Sequence, residues 1–479
     1  MKIKKLILIL LIPFLFLFFQ IATIKDYGIS WDEPIHFTRG QSYLHIFLTG
    51  EKTYKNISGN RSYFQNDSLN GLYFLQNDSG HPPTNDILAA LTNKIFYQRL
   101  NLLGDIDSYH LFNILCSTLL ITVVVIFAYQ KLGLFPSIFS GVIMASYPFL
   151  FAESHFNIKD PPQAAFFSFT IWLFYLSLKK FDWKLLFLSL LSCGLSLGMK
   201  FNILFLPFIL LPYLFIRYKK KIPKVSKKYL IAMLLSPLIV FVVFVVFWPY
   251  LWQDLIGNLA GIFSYYKQIG TGASYQTSFL LPGGFNAYPL FWIITTTPPT
   301  ILFFLIIGIL SFFKKTFSSD KYEFLWLLWF SIPILRVSLP NSSIYGGARQ
   351  IIEFLPGMIL ISSIGFRVFI DILKKLFNTK KEFSVYLVLL FIVIANTKVL
   401  IDYHPNQNVY FNFIIGGLNG AKEKNIPYWG NSFGNAYLQT IKWMNNNVEK
   451  NAKLALIQGT GTNIPKIKLR KDITFSNLN

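Results

Sequence analysis

Apolar runs of about 18 or more residues recur along the whole chain, and they constrain the fold more than any other feature. A run of that length crosses a hydrocarbon core of about 30 Å as one α-helix. Only 14% of the residues are charged and 53% are hydrophobic, whereas soluble proteins carry about 25% charged residues. The sequence therefore predicts an all-α polytopic membrane protein.

The order of these runs predicts about 11 transmembrane helices. The first run follows "MKIKK". It is longer than the apolar part of a signal peptide and has no clear small-residue cleavage site, so we expect a retained helix. The further predicted spans lie near residues 111–129, 133–151, 162–178, 184–199, 201–217, 229–249, 289–312, 322–338, 350–367 and 384–401.

Short basic clusters between the runs predict the orientation of the chain. They occur in "KKFDWK", "RYKKKIPKVSKK", "KKTFSSDK" and "RVFIDILKKLFNTKK", and such clusters collect on the cytoplasmic side of a membrane. The net charge of +22 then has anionic lipid as its counter-charge, and no nucleic-acid partner is expected. We expect a multi-pass protein of the cell membrane with its N-terminus in the cytoplasm.

This orientation divides the chain into two predicted domains. A transmembrane domain over residues 1–401 would carry outer loops at about 25–110, 151–161 and 248–289, and residues 402–479 would form a small C-terminal exoplasmic domain. Amphipathic aromatic stretches in the longer loops, such as "LWQDLIGNLAGIFSYY", suit helices that lie in the membrane interface.

Ionisable residues gather where several runs end on this outer side. Asp32 and Glu33 follow the first run in "WDEP", and charged groups placed so near a bilayer are costly, which makes a functional role the default expectation. A base that deprotonates an attacking hydroxyl and cations that stabilise a departing phosphate would both be available there. The other candidates are His81 and Asp86 in "SGHPPTND", Glu153, His155, Lys159 and Asp160 in "FAESHFNIKDPPQ", and Arg336, Tyr345, Arg349 and Glu353 in the late exit.

Each of these groups also has a purely structural interpretation. Asp32 could cap a helix through "IHFTRGQSYLHIF", Arg349 and Glu353 stand four apart and could pair along one helix, and "HPP" is a turn that happens to contain a histidine. The functional hypothesis depends on their convergence on one face, with Asp32 and Asp160 in one hollow.

The motifs resemble those of the GT-C glycosyltransferases, and within them the protein O-mannosyltransferase and aminoarabinose transferase group. The resemblance rests on the Asp-Glu pair of "WDEP", on "HPPT", where relatives often carry a lysine, on "SHFNIKDPP" and on "GGARQIIEFLP". It implies a GT-C fold and an inverting hexosyl or pentosyl transfer from a polyprenyl-phosphate sugar to an acceptor hydroxyl on a protein, lipid or glycan, at the outer face.

The resemblance also implies roles for individual residues. Asp32 would be the catalytic base, Glu33 would organise its surroundings, and Asp160 would orient the acceptor or a catalytic group. Contacts to the donor phosphate would come from His81, Lys159 and Arg349. A monophosphate leaving group makes a metal optional, and a divalent ion near Glu153 and His155 stays an open alternative.

Three other functions are compatible with a membrane protein of this kind. A lipid-sugar transporter or flippase would place polar groups near the middle of the bilayer on broken helices, whereas here the acids gather at the ends of the runs. A surface-polysaccharide ligase uses related donors but needs no Asp-Glu pair after the first span. A non-catalytic scaffold would tolerate loss of the carboxylates.

Overall fold

α-Helices dominate the computed structural model of the chain. The structure describes residues 3–55, 57, 59–220, 223–272, 279–313, 317–342, 344–377, 381–430, 433–457 and 464–476. In these ranges the helices are α1 Ile3–Ala22, α2 Glu33–Thr49, α3 Gly71–Phe74, α4 Thr84–Asn93, α5 Asp105–Leu132, α6 Leu134–Ala145, α7 Pro148–Phe156, α8 Asp160–Ser177, α9 Trp183–Leu197, α10 Leu206–Tyr218, α11 Lys227–Leu234, α12 Ser236–Val246, α13 Leu255–Gly272, α14 Tyr288–Thr296, α15 Pro299–Phe312, α16 Tyr322–Ser338, α17 Leu355–Phe377, α18 Lys381–Asp402, α19 Gly417–Glu423 and α20 Tyr437–Asn447.

The predicted membrane-spanning character is confirmed, but the predicted number of spans is not. Within the described ranges, five helices are long and apolar enough to cross a membrane, and the number rises to seven if two bent pairs each count as one span. The five are Lys4–Ala22, Asp105–Leu132, Phe201–Tyr218, Arg349–Leu376 and Phe383–Asp402. Helices α9 and α15 are apolar but shorter.

Proline explains why two predicted spans are broken. The run at 133–151 splits into α6 and α7, which meet at 58°, and the run at 229–249 splits into α11 and α12, which meet at 51°. Pro148 opens α7, and a proline stands in the first turn of α12. Proline lacks an N–H and clashes with a preceding helical turn, so it is tolerated where a helix begins.

Helix α5 lies at the centre of the bundle. It contacts α1, α4, α6, α7, α8 and α17, and most of its side chains are buried. The pair of α15 and α17 is held unusually close by glycines, because a Cβ on Gly365 would lie 1.9 Å from the carbonyl oxygen of Phe304. Small residues allow this close approach of helix backbones.

The C-terminal tail packs onto the end of the bundle that carries Asp32. The amide of Trp31 donates to the carbonyl of Phe433 at 3.1 Å, and Lys468 Nζ lies 2.9 Å from Asp107 Oδ1. The tail also contains strands β1 Lys453–Ala455 and β2 Thr474–Ser476, which pair in parallel. The division of the chain near residue 402 stays a prediction.

Candidate active site

Asp32 stands at the N-cap position of α2, yet its side chain makes no capping hydrogen bond. Pro34 in the first turn favours helix initiation there, since its fixed φ suits that position. The carboxylate instead accepts a hydrogen bond of 2.9 Å from Lys159 Nζ, and the side chain of Asp32 keeps 31% of its surface exposed. Asp32 thus holds the N-cap position that the structural interpretation predicts, but its carboxylate does not cap the helix by a hydrogen bond.

The charges around Asp32 keep it ionised. Burial favours the neutral acid, but Lys159 first, and Arg349 and His36 after it, outweigh that effect and hold the pKa of Asp32 well below its usual range. An ionised carboxylate that is still reachable from solvent is the form that a general base requires.

Glu33 points away from Asp32 into the protein interior. Its Oε2 accepts a 2.7 Å hydrogen bond from the amide of Ser30, and its Oε1 lies 3.3 Å from His110 Nε2. Burial raises the pKa of Glu33, with His110 and Ser30 opposing the shift. Glu33 thus ties the segment before Asp32 to α5, which suits a positioning role.

The turn between α7 and α8 holds Asp160 through Asn157. The Asn157 Oδ1 accepts from the amides of Lys159 and Asp160 at 3.1 and 3.0 Å. Its Nδ2 donates to Asp160 Oδ2 at 2.8 Å and to Glu153 Oε2 at 2.6 Å. One amide side chain therefore fixes the start of α8 and bridges two buried carboxylates.

Two cations face Asp160 from other parts of the chain. Lys200 Nζ lies 2.6 Å from Oδ1, and Arg349 Nη1 lies 3.7 Å from Oδ2. Burial opposes the charge on Asp160, but Lys200 and then Arg349 outweigh it and hold the pKa of Asp160 below its usual range.

The sequence analysis did not identify Lys200 as a candidate. A signal was present, because Lys200 is a single basic residue between two runs, at an end that the predicted topology places outside, where basic residues are scarce. Such an exception to the charge bias indicates a local partner, here Asp160.

Arg349 lies between the acids and the tail. Its guanidinium stands 3.9 Å from the ring centroid of Phe433, and its Nε is buried without a hydrogen-bond partner among the described residues. The proposed helix pair with Glu353 is not formed. Glu353 faces Arg336 at 3.5 Å and accepts from Asn202 at 2.8 Å.

His81 lines the same region but is not a cation there. Its Nδ1 lies 2.7 Å from the hydroxyl oxygen of Tyr266. Burial first, and then Lys159, His36 and Arg39, hold the pKa of His81 well below its usual range. A neutral imidazole can still donate or accept a hydrogen bond, but unlike a lysine it carries no positive charge.

A second buried cluster of charged residues holds the segment that carries His81. Arg39 donates from Nη1 to the carbonyl of His81 at 2.6 Å and to Asp78 Oδ1 at 2.7 Å. Its Nη2 lies 2.6 Å from Asp86 Oδ2, and His36 Nδ1 lies 2.9 Å from Asp86. The motif around His81 is thereby fastened to α2, the helix that begins beside Asp32.

The side chains of Glu153 and His155 do not converge as metal ligands. His155 stacks on Tyr27 with ring centroids 3.7 Å apart, and its two nitrogens face the carbonyls of Phe151 and Gln20, each at 3.1 Å. Within the described ranges, no group of three or more His, Cys, Asp or Glu side chains is placed to hold a metal ion.

Comparison with known proteins supports the resemblance noted in the sequence. Residues 80–248 match the family described as dolichyl-phosphate-mannose-protein mannosyltransferase. No curated protein sequence matches the chain. The matched segment contains His81, Lys159, Asp160 and Lys200.

Solved structures show the same fold at low sequence identity. The chain is similar to ArnT from Cupriavidus metallidurans bound to undecaprenyl phosphate, with 12% identity, a TM-score of 0.56, and coverage of 99% of this chain and 86% of ArnT. It is also similar to the oligosaccharyltransferase of Archaeoglobus fulgidus tethered with an acceptor peptide, with 13% identity, a TM-score of 0.51, and coverage of 93% and 58%. The predicted GT-C fold is thus confirmed.

Proposed function

We propose that this chain is a membrane glycosyltransferase that moves a sugar from a polyprenyl-phosphate donor to an acceptor hydroxyl, with inversion, on the outer face of the cell membrane. The observation that carries the proposal is the convergence of Asp32 and Asp160 with Lys159, Lys200 and Arg349, which come from distant parts of the chain. A base beside a group of cations is what this reaction needs, since one partner loses a proton while the other leaves as an anion.

The charges of this cluster suit a phosphate. Lys159, Lys200 and Arg349 exceed the two carboxylates Asp32 and Asp160 by one positive charge. A donor phosphate would supply negative charge, and the buried Nε of Arg349 would supply a hydrogen-bond donor. In the proposed mechanism, side chains supply this stabilisation.

Lys159 couples donor binding to base strength in the proposed mechanism. Its pairing with Asp32 makes that carboxylate a weak base while the donor is absent, because the same cation holds the pKa of Asp32 low. A phosphate that draws Lys159 toward itself leaves Asp32 with less stabilisation and a higher pKa. Asp32 then becomes a stronger base when both substrates are in place.

The proposed reaction needs no reactant beyond the donor and the acceptor. The acceptor oxygen attacks the anomeric carbon while its proton passes to a carboxylate oxygen of Asp32. The bond between that carbon and the phosphate oxygen breaks on the opposite side of the sugar. Polyprenyl phosphate leaves with the bonding electrons, and Lys159 and Arg349 stabilise its charge.

The test is complementation of a gene deletion in the native host, with mass spectrometry of surface glycans and glycoproteins. We expect the deletion to remove a hexose or pentose, and Asp32→Asn to leave it missing although the protein reaches the membrane at the wild-type level. The matched control is Asp182→Asn. Asp182 caps α9 through the amide of Lys184, and asparagine caps equally well, so this variant should restore the sugar.

Two results would contradict the proposed glycosyltransferase function. Restoration of the sugar by Asp32→Asn at the wild-type rate would remove Asp32 from the mechanism. Movement of a labelled lipid-linked sugar across vesicles by the purified protein, without transfer to any acceptor, would indicate a transporter instead.

A further inference from the structure

A cavity of about 720 Å³ adjoins the first turn of α2, apart from the cluster of cations. Specific ligand sites usually measure about 300–1,000 Å³. The cavity lies between α2, the loop at residues 61–69, and the tail at 464–467. None of the proposed catalytic or phosphate-binding residues lines it.

The start of α5 holds both walls of this cavity in place. Asp105 accepts hydrogen bonds from the hydroxyl of Ser62 at 2.8 Å and the amide of Tyr63 at 2.7 Å, which fixes the loop. Two residues later, Asp107 accepts from Lys468 Nζ at 2.9 Å, which fixes the tail. The two segments that form the cavity, the loop and the tail, are therefore both held to α5 by hydrogen bonds.

Helix α2 separates the cavity from the buried cluster of Arg39 and Asp86 and from the side on which His36 is influenced by the charge of Lys159. Successive side chains on a helix lie about 100° apart. His36 and Arg39 point to Asp86, whereas Ile35 and Thr38 line the cavity on another face of the helix. Asp32 stands at the tip of α2, where the two sides meet. Pro34, two residues after Asp32, lines the cavity, so the cavity adjoins the segment that carries Asp32.

The lining combines an apolar floor with a polar rim. Ile29 and Ile35 contribute to the floor, and the ring of Tyr63 is 55% exposed beside it. The rim carries Asn66, Asp67, Ser68 and Lys466, which offer hydrogen-bond donors and acceptors together. Such a mixture suits a ligand with apolar C–H faces and many hydroxyl groups.

The walls of this cavity offer few free backbone groups for binding a peptide. One recurring mode of peptide recognition pairs the peptide with free backbone groups of the binding protein. Four amides of the loop are already engaged, because Asn66 accepts from the amides of Ser68 and Leu69, Gln65 accepts from Ser62, and Asp105 accepts from Tyr63. Recognition here would depend on side chains.

We infer that this cavity binds the acceptor, and that the acceptor is a glycan whose hydroxyl reaches Asp32 from the cavity side of α2. The inference rests on the proposed glycosyltransferase function and adds the class of acceptor and its site.

The test places a photoreactive benzoylphenylalanine at position Tyr63 of the full chain in the native host. The control carries the same group at position Tyr73, which is 40% exposed and does not line the cavity. After irradiation, mass spectrometry identifies what is attached. We expect an adduct sensitive to periodate and glycosidases at the first position and not at the second. An adduct of peptide or polyprenyl lipid, or equal labelling at both positions, would overturn the inference.

A second variant separates this inference from the proposed function. Ser68→Trp places a bulky indole ring at the wall of the cavity and obstructs it, so transfer should fall at least tenfold while the purified protein binds undecaprenyl phosphate as before. Asn77→Trp, on an exposed residue outside the cavity, is the control. Unchanged transfer in Ser68→Trp would refute the acceptor site alone, whereas full transfer by Asp32→Asn would refute the catalytic proposal while leaving a glycan-binding cavity.

Discussion

Lys159 Nζ lies 2.9 Å from Asp32 Oδ2 although 127 positions separate the two residues in the chain. This ion pair joins the N-cap residue of α2 to the residue that precedes α8, and thereby brings Asp160 into the neighbourhood of Asp32. Because the pair couples the proposed base to a proposed phosphate ligand, changes at Lys159 should alter both donor binding and the response to pH.

Lys159→Met should make transfer sensitive to mild acid. In the wild type, Lys159 holds the pKa of Asp32 well below its usual range, so Asp32 stays ionised over the accessible pH range. Without that cation, burial raises the pKa, and the protonated, inactive form appears as the pH falls. The measurement is the pH dependence of kcat/KM, and Lys184→Met, at an exposed position, is the control. An acidic limb identical to that of the wild type would contradict the coupling.

Arg349→Lys should weaken the binding of undecaprenyl phosphate by roughly tenfold or more while the fold is kept. Lysine preserves the charge but loses the planar fork, which can contact a phosphate through two N–H groups and stack on Phe433 at 3.9 Å. Arg349→Ala should weaken it further. The check is lipid binding to the purified protein, with thermal unfolding measured in parallel. Equal affinity in all three proteins would remove Arg349 from the phosphate site.

Asn157→Asp should damage both stability and activity. The new carboxylate could not donate to Glu153 and Asp160, as the amide now does at 2.6 and 2.8 Å, and it would lie beside the ionised Asp160. Like charges in a buried site repel and lose hydration, and each buried polar group left without its partner costs about 1–3 kcal/mol. Asn157→Ala keeps the charge balance and should be less harmful. Thermal unfolding in detergent ranks the two variants, and an unfolding temperature for Asn157→Asp at or above that of Asn157→Ala would contradict this account.

Gly40→Ala should disturb the contact between α2 and α4 beside the candidate active site without altering any charged side chain. A Cβ on Gly40 would lie 2.2 Å from the carbonyl oxygen of Asp86, so α2 and α4 must separate. Overpacking of this kind typically costs about 1–3 kcal/mol. The matched control is Gly430→Ala, since nothing lies within 4 Å of a Cβ there. The comparison uses thermal unfolding and transfer rates, and equal behaviour of the two variants would show that the contact between α2 and α4 is unimportant.

Several structural conclusions were accessible from the sequence, because they depend on local pattern. The length and spacing of the apolar runs predict a helical membrane protein, and every predicted span contains a helix or a pair of helices. The number of spans was less accessible, since hydropathy averages over a window and does not register where Pro148 and the proline of α12 interrupt a run.

The sequence by itself determined the fold class and the positions of Asp32, Lys159, Asp160 and Arg349 at the ends of apolar runs. Only the tertiary structure decided which charges meet, that Lys200 joins them, and that Glu33 turns inward toward His110. The physical reason is that the energy of an ionised group near a bilayer depends on its partners in space. Those partners are chosen by helix packing, which no local average of the sequence contains.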